Sequence, residues 1–222
     1  MIRSLALLCI LSLAVAGCGG EGSADAPAAV DNGAAAANSA EPRAPEPLPD
    51  IVRVRLETDA GTIVVALDAR RAPITTANFV RYVDEERFDG TTFYRASRTP
   101  GSEGRGFIQG GIRRDVRRMF PAILHEPTSE TGLTHREGTI SMARAETGAG
   151  AIGDFFITAS AMPTLDARRG SPGYAAFGRV VEGMDVVRRI LAAPTVANAG
   201  RGAMRGQMLS PTIRIVSARR VD

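Results

Sequence analysis

The 222-residue sequence predicts a mainly β fold, a closed antiparallel barrel with two helices. Two observations carry that reading. Strand-like runs with alternating apolar residues outnumber helical stretches by eight to two, and turn signals separate many of them. A sheet built from strand–helix–strand units would need about one helix for each strand.

The elements follow in order. "IVRVRLET" from Ile51 and "TIVVAL" from Thr62 are β-branched runs joined by "DAG", a hairpin signal. Pro73 stands where a helix begins, and "PITTANFVRYVDEERF" sets Ile74, Ala77, Phe79, Val80 and Val83 at helical spacing until "FDG" ends it. "TTFYRAS" and "GFIQGG" are strands on either side of a Gly-rich loop, followed by an irregular Arg-rich segment from Ile112 to Glu137. "GTISMARA" and "DFFITAS" are strands separated by "ETGAGAIG". "GYAAFGRVV" is another, "GMDVVRRILAA" a second helix, and "TIRIVSARRV" closes the chain with clean alternation.

The first 50 residues stand apart from this pattern. Arg3 is followed by the apolar run "LALLCILSLAVA", short for a bilayer span, and small residues lead into Cys18. Residues 1–17 are thus expected to be a signal peptide. "VAGC" resembles a bacterial lipobox, which implies that Cys18 is lipidated and becomes the first mature residue. Gly19 after that cysteine favours, by the same resemblance, the periplasmic face of the outer membrane. Residues 18–50, rich in Ala, Pro, Gly and acid, have almost nothing to bury and read as a disordered tether. The tether carries a net charge of −5 and residues 51–222 carry +7, with Arg as the sole basic residue type. Cys9 leaves with the signal and Cys18 is modified, so the domain at 51–222 must be stable without a disulfide.

Several chemistries lose support. His125 and His135 are the only histidines, and neither lies in a metal-ligand spacing. No G-x-S-x-G elbow is present, and a Ser/His/Asp triad is not expected from histidines on loops. "GSEGRG" lacks the Lys-Ser/Thr end of a phosphate loop. No metal, no cofactor and no nucleic-acid partner is therefore expected.

What remains is a set of polar groups among aromatics. Arg95 and Gln109 lie on strand-like runs beside phenylalanines. Alternation puts Phe107 and Gln109 on one face and Ile108 on the other. It also separates Phe156 from Phe155 and Ile157, so Phe156 needs a second apolar environment outside the core. Tyr174 and Ala176 part from Ala175 and Phe177 by the same rule.

"ANFVRYV", "FYR", "GFIQGG", "GTISMARA", "DFFIT" and "GYAAFGRVVEGMDVV" occur in the order and at the spacings of the cyclophilin family of peptidyl-prolyl cis-trans isomerases, which the chain resembles over nearly all of 51–222. The likeness is greatest to bacterial periplasmic members. The resemblance implies a closed eight-stranded antiparallel barrel capped by two α-helices, with the active groove on its outside. It implies Arg95 as the catalytic residue and Gln109 as a hydrogen-bonding partner of the substrate backbone. Phe107, Phe156 and Leu165 match members of the proline pocket, Ala143 and Ala145 the groove lining, and Tyr174 its edge. Departures are Gly106 where relatives place a pocket Phe, Asp154 for a glutamine, Thr164 for an aromatic, Tyr94 for a histidine, and a longer loop "RTPGSEGR". The implied partners are proline-containing unfolded or flexible polypeptides, met by a monomer held to the membrane through Cys18. The implied role is folding of exported proteins. The alternatives are a peptide-binding module of the same fold with little turnover, and a general chaperone for apolar segments.

Overall fold

The hairpin signal at Asp59–Gly61 becomes the first turn: β1 (Ile51–Thr58) pairs antiparallel with β2 (Gly61–Asp68), Thr58 opposite Gly61. In the computed structural model, which describes residues 47–144 and 151–222, the remaining strands extend this hairpin into a closed barrel. They are β3 (Thr92–Arg98), β4 (Gly106–Gly111), β5 (Thr139–Met142), β6 (Asp154–Thr158), β7 (Ala176–Glu182) and β9 (Met208–Val221). The order around the barrel is β1-β2-β7-β5-β6-β4-β3-β9, and β9 pairs back onto β1. All these pairings are antiparallel. Closure leaves no open edge in the eight-stranded ring. A two-residue β8 (Thr195–Val196), absent from the sequence reading, pairs only with the start of β9.

Alternation fills the interior as expected. Val52, Val54 and Leu56 of β1 point inward while Ile51, Arg53 and Arg55 are exposed, and Ile108, Ile140, Phe155 and Ile157 join the same core. Helix α1 (Pro73–Asp84) packs Phe79 against Phe88, Phe155 and Phe177, with ring centroids 4.9 to 5.3 Å apart. Its buried face corrects the expected one. Ile74 and Ala77 are exposed, and Thr75, Thr76, Phe79, Val80, Tyr82 and Val83 are buried, because the stripe is rotated toward Tyr82. The helix also stops at Asp84 rather than Phe88, where Glu86 turns to a positive φ of 53°. Its start lacks a local cap. The buried Glu126 supplies one from far away, accepting the Ile74 and Thr75 N–H groups at 3.1 and 2.7 Å.

A four-residue α2 (Thr128–Thr131) lies in the segment expected to be irregular. Helix α3 (Met184–Ala192) buries Val186, Val187, Ile190 and Leu191. Gly183 precedes it at a φ of 87°, where a Cβ would lie 2.2 Å from the Thr62 carbonyl oxygen; only glycine fits.

One irregularity positions the site. Between Phe93 and Arg95 the register of β3 shifts against both neighbours: Phe93 faces Gly110 and Ile213, whereas Arg95 faces Gln109 and Met208. Tyr94 is the extra residue of a β-bulge. Phe93 and Ala96 therefore both reach the core, and Tyr94 and Arg95 between them both lie outside it.

Candidate active site

Strict alternation from Phe93 would send Arg95 into the apolar interior, at a prohibitive desolvation cost. The bulge at Tyr94 turns it to the outer face instead, half-buried, where two of its nitrogens find acceptors. Arg95 Nη1 donates to Gln109 Oε1 at 2.8 Å, and Arg95 Nε donates to Gln207 Oε1, also at 2.8 Å. The guanidinium carbon stands 5.0 Å from the centre of the Phe107 ring. Burial pulls the Arg95 pKa down from its ordinary value, and the neighbouring Tyr94 and Tyr174 oppose that shift.

Gln109 is buried and engaged at both ends, since its Nε2 donates to the Tyr94 hydroxyl at 2.7 Å. Burial pushes the Tyr94 phenol up, and the Asp154 carboxylate acts in the same direction. Asp154 is itself raised by burial, against the Arg113 N–H that donates to it at 2.8 Å and the Tyr94 hydroxyl.

The apolar half of the site is a chain of rings. Phe107 and Phe156 lie 5.1 Å apart on the paired strands β4 and β6. Tyr174 meets Phe156 edge-on at 5.3 Å, and its N–H donates to the Leu165 carbonyl at 2.9 Å, which sets Leu165 beside it. Ala143 continues β5 past Met142 and donates its N–H to the Asp154 carbonyl at 2.9 Å. Arg95, Phe107, Gln109 and Phe156 thus meet in one place on the outside of the barrel, flanked by Leu165, Tyr174 and Ala143. Ala145 and Cys18 lie outside the described residues. Thr164 is exposed. At Gly106 the φ is +142° and a Cβ would fall 2.0 Å from the Ser97 carbonyl oxygen, so this backbone admits no side chain there.

Two features escaped the sequence reading. Gln207 lies 112 residues from Arg95, in a loop without periodicity, and nothing local marks it. The second is a correction: the structure does line up serine, histidine and aspartate. His135 Nδ1 donates to Asp166 Oδ1 at 2.6 Å, and its Nε2 accepts from Ser141 Oγ at 3.0 Å. Ser141 is fully buried and His135 is 2% exposed, so no substrate reaches the hydroxyl. The imidazole instead stacks on Phe156, rings 5.7 Å apart and 11° from parallel. The trio is a support for the aromatic pocket. Two other concavities lie elsewhere, of about 380 Å³ along Ile74–Arg81 and Phe120–Ile123, and of about 460 Å³ beside Pro127 and Arg168–Pro172. Neither includes Arg95 or the ring pair.

Residues 53–220 match the family model described as cyclophilin type peptidyl-prolyl cis-trans isomerase/CLD. Similar proteins include peptidyl-prolyl cis-trans isomerase A of Dickeya dadantii, 39% identical over 139 residues that span 62% of this chain and 70% of that protein. Peptidyl-prolyl cis-trans isomerase B of Escherichia coli is 32% identical over 154 residues, 68% of this chain and 88% of its own. Among solved structures, a Cryptosporidium parvum cyclophilin type peptidyl-prolyl cis-trans isomerase, crystallised in the presence of the dipeptide Ala-Pro, superposes with a TM-score of 0.60. The identity is 21%, and the match covers 77% of this chain and 99% of that one.

Proposed function

The chain belongs to the cyclophilin-type peptidyl-prolyl cis-trans isomerase family, and we propose that Arg95 is its catalytic donor, acting on X-Pro bonds of exported polypeptides. A peptide bond resists rotation by about 18–20 kcal/mol because resonance gives C–N double-bond character. X-Pro is the bond whose cis and trans forms lie close in energy, so its slow exchange limits folding. At the twisted transition state the nitrogen regains a lone pair. A fixed donor near it is then favoured more than in either ground state, which is the condition for raising the rate.

Arg95 fits this requirement because its cation is permanent and its donors form a rigid fork. Phe107, Phe156 and Leu165 hold the pyrrolidine ring while the acyl side turns, with Tyr174 at the edge. Gln109 retains one amide hydrogen for the substrate backbone, and Ala143 lines its path, a role the family resemblance also implies for Ala145. The Ala-Pro dipeptide used with the Cryptosporidium relative supports proline peptides as the ligand class. The observation that carries the reading is the Arg95 guanidinium held beside the Phe107–Phe156 pair.

The apolar segment ending in "VAGC" and the acidic tether support a place among lipid-anchored envelope proteins, working as a monomer on the periplasmic side of the outer membrane. A binding module with little turnover is the second reading, favoured by the missing side chain at Gly106. A protease-coupled assay on an X-Pro peptide separates them. Catalytic amounts of the protein accelerate isomerisation, and Arg95→Ala lowers kcat/KM by about a hundredfold or more with the fold intact. A folded Arg95→Ala protein with undiminished turnover would remove Arg95 from the mechanism, and no acceleration by the parent would leave the binding module.

A further inference from the structure

We infer that Gln207 is a positioning residue for Arg95, holding the guanidinium so that one edge faces the reacting bond. The inference rests on the isomerase reading above. A guanidinium on a flexible stem is a poor transition-state donor unless its orientation is fixed beforehand, because each misaligned rotamer must be reordered during the reaction. Two carbonyl oxygens from different elements fix it here. Gln109 of β4 takes Nη1, and Gln207, immediately before β9, takes Nε. Two bonds to a planar group set both its place and its plane. Nη2 accepts no such restraint among the described residues and is left for the substrate.

Gln207 is itself held. Its carbonyl oxygen accepts the Ala96 N–H at 2.9 Å, and its own N–H donates to the Met204 carbonyl at 3.1 Å. The same register shift that turns Arg95 outward puts Met208 opposite it, so the bulge delivers both partners together. The pairing of β8 with Met208 and Leu209 ties this stretch down from the other side. Both acceptors are neutral amides. They orient the cation without cancelling its charge, as a carboxylate at either position would.

The test uses the full chain. In Gln207→Leu the backbone bonds remain and the acceptor is lost. The expected result is a fall in kcat of about tenfold with KM within about twofold, and a thermal midpoint equal to that of the parent. A ¹⁵N-edited spectrum reads the restraint itself: solvent exchange of the Arg95 Nε–H quickens by about tenfold in the variant. Gln207→Met, which keeps the length and flexibility of the side chain, gives the same pair of changes should the leucine variant fold poorly. Unchanged kcat and unchanged Nε–H exchange in a folded variant would overturn the inference. The two readings fail separately. If the parent shows no isomerase activity the functional reading falls, and the Nε–H exchange still decides whether Gln207 holds Arg95. If the parent is active and Arg95→Ala is not, an unaffected Gln207→Leu sinks this inference alone.

Discussion

His135 shows how a residue set aside as a loop histidine becomes part of the site. Burial holds its imidazole below the usual pKa, while the Asp166 carboxylate pulls the other way without winning. The folded protein therefore binds that proton less readily than the unfolded chain. Its contribution to stability is fully present above the ordinary imidazole pKa, and is lost as pH falls through that value toward the lowered folded one. Urea midpoints taken between about pH 7.5 and about pH 5 should decline, and His135→Phe should flatten that part of the decline while keeping a ring behind Phe156. Equal slopes in both proteins would show that another group titrates. Arg95 and Gln109 were visible in the sequence as misfits, polar side chains on apolar strands. Gln207 had no such contrast, because a glutamine in a polar loop looks like every other loop residue.

Strand β3 carries the decisive local departure from regularity. The bulge at Tyr94 places two consecutive side chains on one face, which a period of two forbids. Gly106 lies opposite Arg98 at the far end of the same ladder, with its φ of +142° and the Ser97 oxygen where a Cβ would sit. Gly106→Ala should cost about 3 kcal/mol or more, read as a lowered urea midpoint, since the clash is with backbone that cannot rotate away. An unchanged midpoint would mean that the β3–β4 ladder yields. Arg98 closes the link to α3, donating from Nε to the Leu191 carbonyl at 2.7 Å and from Nη2 to that of Ala193. These are orphan carbonyls of a helix end. Arg98→Ala should lower stability by about 1 kcal/mol, a modest value because the side chain is exposed.

At the scale of the molecule, the barrel supplies both the rigidity and the address of the site. Its interior is filled, so the side chains proposed to act on substrate stand on the outer faces of β3, β4 and β6, where the core side of each strand fixes them. Among the described residues no helix is long and apolar enough to cross a membrane, and the attachment proposed above rests on a lipid at Cys18. Cys18→Ala should move the protein into a soluble periplasmic fraction with unchanged kcat/KM; continued membrane association would refute the anchor. A chain beginning at residue 47 keeps Leu48, which packs on the core, and Asp50, whose carbonyl accepts the Ala69 N–H. That fragment should fold and isomerise within about twofold of the full chain.

The sequence by itself determined the barrel, because alternation decides which face of each strand is apolar and turn residues decide where strands end. It also determined the two longer helices and the opposite facing of Phe156 to Phe155 and Ile157, while the pairing of Phe156 with Phe107 is a tertiary result. Only the tertiary structure decided where Arg95 points, because a bulge is defined by the partner strand and leaves no local period. The Gln207 acceptor, the remote Glu126 cap on α1 and the buried His135–Asp166–Ser141 support were decided there too. Arg95–Gln207, Glu126–Thr75 and His135–Asp166 join residues 112, 51 and 31 positions apart through one or two hydrogen bonds. Such contacts have no periodicity, and barrel closure alone brings their partners within reach.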